Sequence, residues 1–156
     1  MARRGKWGKV DFRELEKFAK RMQQAQEENV FDQFFRDFLL EMARRAYNKM
    51  YKRTPVDTGQ LRDNWQIGDV RKEGDTYIIE IFNETPYASF VEYGHRQNVG
   101  QYVPTIRKRL KRPWVEGRFF MTISANEIEQ ELPKYLDKRL DKLLREIIAG
   151  NSGSRK

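Results

Sequence analysis

The sequence predicts an α+β protein. Apolar residues recur at three- and four-residue intervals in the first third of the chain and again in its last quarter, as in helices with one apolar face. Between them, apolar and polar residues alternate on either side of Lys72-Glu73-Gly74-Asp75, the pattern of a hairpin. Residues 1–150 are expected to form a single domain, with 1–28 as an N-terminal helical extension and 96–113 as a protruding basic loop; 151–156 reads as a disordered polar tail.

Asp11 followed by Glu14 makes a capping box for a first helix, about Phe12 to Glu28. Its apolar positions Phe12, Leu15, Phe18 or Ala19, and Met22 form one narrow stripe on a charged surface, so the helix leans on the body or on a neighbouring subunit. A second helix is expected from about Phe31 to Arg53. Phe31, Phe34, Phe35, Phe38, Met42, Ala46 and Met50 give it a wide aromatic face that reads as core. Lys49, Lys52 and Arg53 suit the negative end of its dipole. Pro55 ends it, because proline has no amide hydrogen to donate and disfavours helical geometry at Thr54. Asp57 or Thr58 then caps a short turn through Gly59 and Leu61, since either side-chain oxygen accepts from a free N–H.

Asn64–Val70 and Thr76–Asn83 read as strands. Trp65 and Ile67 share one face of the first; Tyr77, Ile79 and Ile81 share one face of the second, with Ile78 and Phe82 on the other. Thr85-Pro86 suits a helix start, with Gly94 closing the helix after Tyr93. A strand carrying Phe90, Glu92 and His95 fits the same residues, so helix and strand both stay open over 86–95. From Arg96 to Pro113 the periodicity disappears. This stretch holds Gly100, Pro104 and the basic run Arg107-Lys108-Arg109-Leu110-Lys111-Arg112, and reads as a protruding loop or a long β-ribbon. Beyond Trp114-Val115-Glu116-Gly117, a helical pattern resumes at Met121, Ala125, Ile128 and Leu132. Pro133 interrupts it or begins a new helix, and Leu136, Leu140, Leu143 and Ile147 continue it towards Gly150.

Composition narrows the function. Ten Phe, seven Tyr and three Trp supply apolar faces, yet 35% of residues are charged, so each face is backed by charge. No run of about 18 apolar residues exists, so no membrane span is expected. The basic start Met1–Lys9 leads into no apolar segment of the kind a secretory signal needs. Without cysteine there are no disulfides, thiol nucleophiles or cysteine-based metal sites. The single histidine, His95, has no ligand pattern around it and reads as structural. Ser89 lies near His95, but nothing supplies the orienting acid or the oxyanion hole of a nucleophilic centre. Glu80, Glu84 and Glu92 follow no metal-ligand spacing. No catalytic, metal-binding or cofactor-binding residue is therefore assigned, and no enzymatic activity is expected. The net charge of +8, from 31 basic and 23 acidic residues, favours a polyanionic partner or an acidic protein surface.

Four segments, in order, carry a resemblance. They are Thr54-Pro55-Val56-Asp57-Thr58-Gly59 with Leu61-Arg62, Pro86-Tyr87-Ala88, Val91-Glu92-Tyr93-Gly94-His95, and Trp114-Val115-Glu116-Gly117-Arg118-Phe119 with Met121. Together they resemble the head–tail joining, or tail-completion, neck proteins of long-tailed double-stranded DNA phages and prophages, over roughly residues 30–148. The resemblance implies a small antiparallel sheet packed on the long second helix and the C-terminal helices. It also implies a structural protein at the head–tail junction of the virion, made in the host cytoplasm, that forms or joins a ring, a hexamer in the assembled particle. Its partners would be sister copies, the tail-tube protein and a head-side neck protein.

Within that frame Pro55, Asp57, Thr58, Gly59, Leu61 and Arg62 read as a structural turn and cap. Tyr87, Glu92, Tyr93, Gly94, His95 and Trp114 are candidate interface residues, since tyrosine and tryptophan combine apolar area with a polar tip. Arg107, Lys108, Arg109, Lys111 and Arg112 form a candidate partner-facing loop. Three readings of it stay open: transient contact with DNA in a ring lumen, docking on an acidic tail or neck protein, and plain solvation. The competing function is a basic nucleic-acid-binding module acting as a monomer or dimer, which requires one continuous basic face with interleaved aromatics.

Overall fold

The structure is a computed structural model that describes residues 13–56 and 59–150. The expected cap at Asp11, the turn residues Asp57 and Thr58, and the tail 151–156 lie outside the described residues. In chain order come α1 (Arg13–Glu27), α2 (Val30–Arg53), α3 (Gln60–Asp63), β1 (Trp65–Ile67), β2 (Arg71–Glu73), β3 (Thr76–Ile78), β4 (Ile81–Asn83), α4 (Ala88–Tyr93), β5 (Gly94–Arg96), β6 (Tyr102–Val103), β7 (Lys108–Arg109), β8 (Trp114–Glu116) and α5 (Phe120–Ile148). The α+β class holds, and the strands pair as four two-stranded antiparallel sheets that further backbone bonds join end to end into two ribbons.

The helices are the scaffold. α2 and α5 run antiparallel, stitched along their length by Arg53 and Lys49 to Glu127, Lys49 to Glu131, and Arg139 to Glu41. Arg45 lies over the Tyr135 ring, 4.2 Å from its centre. Lys49 and Arg53, assigned from the sequence to the dipole of their own helix, thus serve mainly as inter-helix links. These pairs are partly exposed, so solvent screening keeps the contribution of each one small. α1 lies against both long helices and buries Ala25 completely. Leu15, in its expected apolar stripe, is 60% exposed.

The core joins α2, α3, β1 and α5 through Ala46, Met50, Leu61, Trp65, Phe120 and Ile128. Trp65 meets Phe120 edge to face, with ring centres 5.9 Å apart. Further along α2, Phe38 and Met42 are buried, and Phe35 stacks on Tyr77 of the first ribbon at 5.5 Å. The face expected from the periodicity of α2 is core from Phe38 through Met42 and Ala46 to Met50, whereas Phe31, Phe34 and Phe35 at its start are only half-buried.

The first ribbon pairs β1 with β4 (Trp65 opposite Asn83) and β2 with β3 (Glu73 opposite Thr76). The register slips by one residue between the two pairs, where Asp69 and Val70 face Ile79, and this bulge breaks the two strands expected from the sequence into four. The expected four-residue turn contracts to Gly74-Asp75. Gly74 at φ 61° takes the first central position, the pattern of a two-residue II′ hairpin.

The second ribbon resolves the loop-or-ribbon alternative. β5 pairs with β8 (Arg96 opposite Trp114) and β6 with β7 (Tyr102 opposite Arg109). Gln97 and Gly100 continue the ladder between them, donating to the carbonyls of Pro113 and Leu110 at 2.9 and 2.8 Å. Gly100, at φ 87°, sits in a bulge where Leu110 bonds to both Gly100 and Gln101. Over 86–95 both expectations are realised in succession, α4 and then β5. Pro86 does not open the helix as expected; it lies in the preceding turn, and α4 begins at Ala88. Pro133 likewise neither stops nor starts a helix. It sits within the continuous α5, on an exposed position, where neighbouring turns and the contact with α2 carry the helix past one missing hydrogen bond.

Candidate functional site

The Thr54-Pro55 segment works from inside the fold. After α2 ends, the Thr54 amide and hydroxyl both donate to the carbonyl of Met50, at 2.9 and 2.6 Å. The same hydroxyl accepts the indole N–H of Trp65 at 2.8 Å. Both residues are buried. A β-hydroxyl is needed because it must donate and accept at once. Gly59 at φ 84° turns the chain into α3, which places Leu61 in the core. Arg62 lies over the Tyr51 ring at 5.2 Å and reaches the Thr54 carbonyl. Pro55 is half-buried beside them.

The next segment is tied to the first. Asn64 donates to the Thr85 hydroxyl at 3.1 Å, Asn83 donates to the Leu61 carbonyl at 2.6 Å, and the Asn83 side-chain oxygen accepts the Thr85 amide. These bonds bring α4 alongside the core, where Ala88 and Val91 pack.

Glu92 then joins α4 to α5. Its side chain is buried, and its carboxylate accepts from the amides of Met121 and Thr122 at 2.9 and 2.8 Å and from the Thr122 hydroxyl at 2.5 Å. The first turn of a helix leaves amides without internal partners and carries partial positive charge, so a carboxylate fits there. Glu92, placed among the candidate interface residues by its sequence, therefore faces inward and caps α5 from a distance of about thirty residues. One residue pair further on, two glycines cross. A side-chain carbon on Gly94 would stand 2.3 Å from the Val115 carbonyl, and one on Gly117 would stand 2.3 Å from the Glu92 carbonyl. The Val-Glu-Tyr-Gly-His and Trp-Val-Glu-Gly-Arg segments are thus in backbone contact, with Arg118 and Phe119 donating to the carbonyls of Val91 and Glu92.

Large apolar side chains are exposed around this crossing. Phe90, Tyr93, Trp114, Phe119 and Ile123 are between 41% and 55% exposed. Tyr93 meets Phe119 edge-on at 6.3 Å, Phe90 lies 5.6 Å from His95, the Trp114 ring lies against Gly94, and Ile123 follows Phe119 by one helical turn. Tyr87 is also exposed. His95 is half-buried, and its Nδ1 has no hydrogen-bond partner among the described residues. The second ribbon rises from this apolar base. Its cations Arg107, Lys108, Arg109, Lys111 and Arg112 are all exposed, and Arg109 donates to the Gly100 carbonyl.

No hydrogen bond joins Ser89 to His95, and no three acidic or histidine side chains are grouped to hold a metal ion among the described residues. No described helix is long and apolar enough to cross a membrane.

The model of the family described as "Bacteriophage HK97-gp10, putative tail-component" matches residues 16–94, just over half of the chain. The chain belongs to this family of phage tail components. The match starts inside α1, so the first helix, read from the sequence as an extension, lies largely within the family's region, which ends at Gly94, the first residue of the second ribbon. No match was found among curated proteins or solved structures.

Sequence reasoning missed Phe90, Phe119 and Ile123 as surface residues. The available signal was their surplus: Phe90 and Ile123 fall off the core-facing positions of their own helices.

Proposed function

We propose that this tail component is a tail-completion adaptor that forms or joins a ring at the head–tail junction and connects the tail tube to the neck. The observation that carries the reading is the exposed aromatic surface of Phe90, Tyr93, Trp114 and Phe119 at the foot of a basic ribbon. Aromatic clusters framed by charge are the composition of protein–protein interfaces. The family match supports a role inside the tail. On this reading residues 1–150 act as one unit, a hexamer in the particle, with sister copies, the tail-tube protein and a head-side neck protein as partners. Contact between the ribbon and passing DNA is transient. Pro55, Gly59, Leu61 and Arg62 hold the frame; Tyr87, Tyr93 and Trp114 meet neighbours.

The deciding experiment is removal of the gene from the phage or prophage. Separate filled heads and finished tails are expected by electron microscopy, and purified protein should rejoin them. Joined, infectious particles without the protein would refute the reading. The competing nucleic-acid module draws on one feature, the cations flanking Tyr102 and Trp114; a salt-sensitive shift of duplex DNA by a stable monomer would favour it.

A further inference from the structure

The two ribbons carry opposite charge. Residues 63–85 hold six carboxylates against Arg71 and Lys72, a net charge of −4, and residues 94–118 hold seven Lys and Arg against Glu116, a net charge of +6. The asymmetry sharpens at the level of individual faces. Alternation along β4 and the residues flanking it puts Glu80, Phe82 and Glu84 on one face, and all three are exposed. The opposite face turns Ile81 to the core and Asn83 to the Leu61 carbonyl. On the second ribbon Arg96 lies directly opposite Trp114 in register, and Arg112 precedes Trp114 by two residues, just across the bend at Pro113; all three are exposed. One ribbon thus presents acid–aromatic–acid and the other base–aromatic–base. Glu80 has only an exposed partner in Arg71, and Glu84 only Gln66, while Arg96 and Arg112 have no carboxylate partner among the described residues.

We propose that the face Arg96–Trp114–Arg112 of one copy docks on the face Glu80–Phe82–Glu84 of the next. The inference rests on the ring reading above and names the surfaces that would close such a ring. Two different patches on one chain that complement each other make a head-to-tail contact, the kind that generates rings when the rotation closes. Glu80 and Glu84 stand roughly 13 Å apart along the strand at about 3.4 Å per residue. Arg96 stands across the ribbon from Trp114, about 5 Å away between Cα atoms, and Arg112 lies within about 7 Å along the chain; their long side chains extend from there to the two carboxylates while the indole meets the Phe82 ring. Arginine and tryptophan at the centre of a contact are the residue types that dominate binding energy, and the fork of the guanidinium matches a carboxylate bidentately. The opposite charges also steer the approach and disfavour the symmetric pairing of like ribbons.

The test is a charge swap in the full chain. Wild type, Arg96→Glu/Arg112→Glu and Glu80→Arg/Glu84→Arg are compared by sedimentation over a range of concentration at low salt, with circular dichroism confirming the fold. Wild type is expected to self-associate, each variant alone to associate at least tenfold more weakly, and an equimolar mixture of the two variants to recover association, because each then offers the surface the other lacks. The chain has no cysteine, so Phe82→Cys and Trp114→Cys give a second readout: on oxidation the mixture should yield mainly the mixed disulfide pair. Wild-type association that both charge variants retain, or only same-variant disulfides, overturns this interface and leaves the ring reading standing. A wild type that stays monomeric both in solution and with added tails overturns both. Loss of DNA retention in Arg96→Glu/Arg112→Glu with unaltered self-association overturns the interface and assigns the ribbon to nucleic acid.

Discussion

The Trp65 indole donates to the Thr54 hydroxyl at 2.8 Å, and that hydroxyl donates to the Met50 carbonyl at 2.6 Å. The end of the longest aromatic helix face and the start of the first ribbon are thereby fixed to each other inside the core. Thr54→Val keeps the shape and removes both bonds, leaving a buried indole N–H unpaired. A loss of about 1–3 kcal/mol is expected in urea unfolding. In a Trp65→Phe background the same change should cost clearly less, because the unpaired donor is gone; equal costs in the two backgrounds would show that the bond contributes nothing.

Gly94 and Gly117 are irreplaceable for a steric reason. Each lacks room for a side-chain carbon by more than an ångström against backbone, and Gly94 also holds φ 83°. Gly94→Ala and Gly117→Ala should each lose about 3 kcal/mol or more, or fail to fold. Gly74→Ala meets nothing within 4 Å and pays only for its φ of 61°, about 1–2 kcal/mol. Thermal melts of the three variants distinguish crowding from backbone strain.

Glu92→Gln keeps the size of the side chain and removes its charge and one acceptor from the first turn of α5. With three donors converging on a buried carboxylate, a loss of about 1–3 kcal/mol is expected. Hydrogen exchange should report faster opening at Met121 and Thr122, with little change in the middle of α2. Uniform acceleration throughout the chain would argue against a local cap.

The α2–α5 contact should be sensitive to acid. The hydrogen bond from Arg53, then that from Lys49, holds the Glu127 carboxyl below its ordinary value of 4.5. A carboxylate more acidic in the fold than in the unfolded chain contributes its full stabilisation above pH 4.5 and loses it as pH falls through the lowered value. Lys49 is raised above 10.5 by its hydrogen bonds to Glu127 and then Glu131, so its contribution is complete below that pH and is lost as pH rises through the raised value. Urea midpoints should therefore fall on the acid side, and Glu127→Gln should flatten that fall. An unchanged acid limb in the variant would remove Glu127 from the account.

Much of this protein was legible in its residues. The three- and four-residue recurrence from Phe31 to Met50 located α2, because a helix that buries one face must repeat its apolar residues at that spacing. The turn Lys72-Glu73-Gly74-Asp75 located the first hairpin, and the motif segments between Thr54 and Gly94 lie within the family's region, while the Trp114 segment lies beyond it. The first bulge was hidden, since Asp69 and Val70 alternate as an unbroken strand would. The continuity of α5 through Pro133 was hidden too, because tertiary packing compensates a missing hydrogen bond that local rules treat as an ending.

What the chain dictated by itself is the set of elements and the family signature. Both depend on local spacing and residue type. The tertiary structure alone decided which way the motif residues face. Glu92 and Tyr93 are neighbours in sequence, yet one carboxylate is consumed by a helix start 29 residues on and the other side chain is 55% exposed. The difference arises where Gly94 and Gly117 cross, and close approach between segments distant in sequence leaves no periodic trace in either of them.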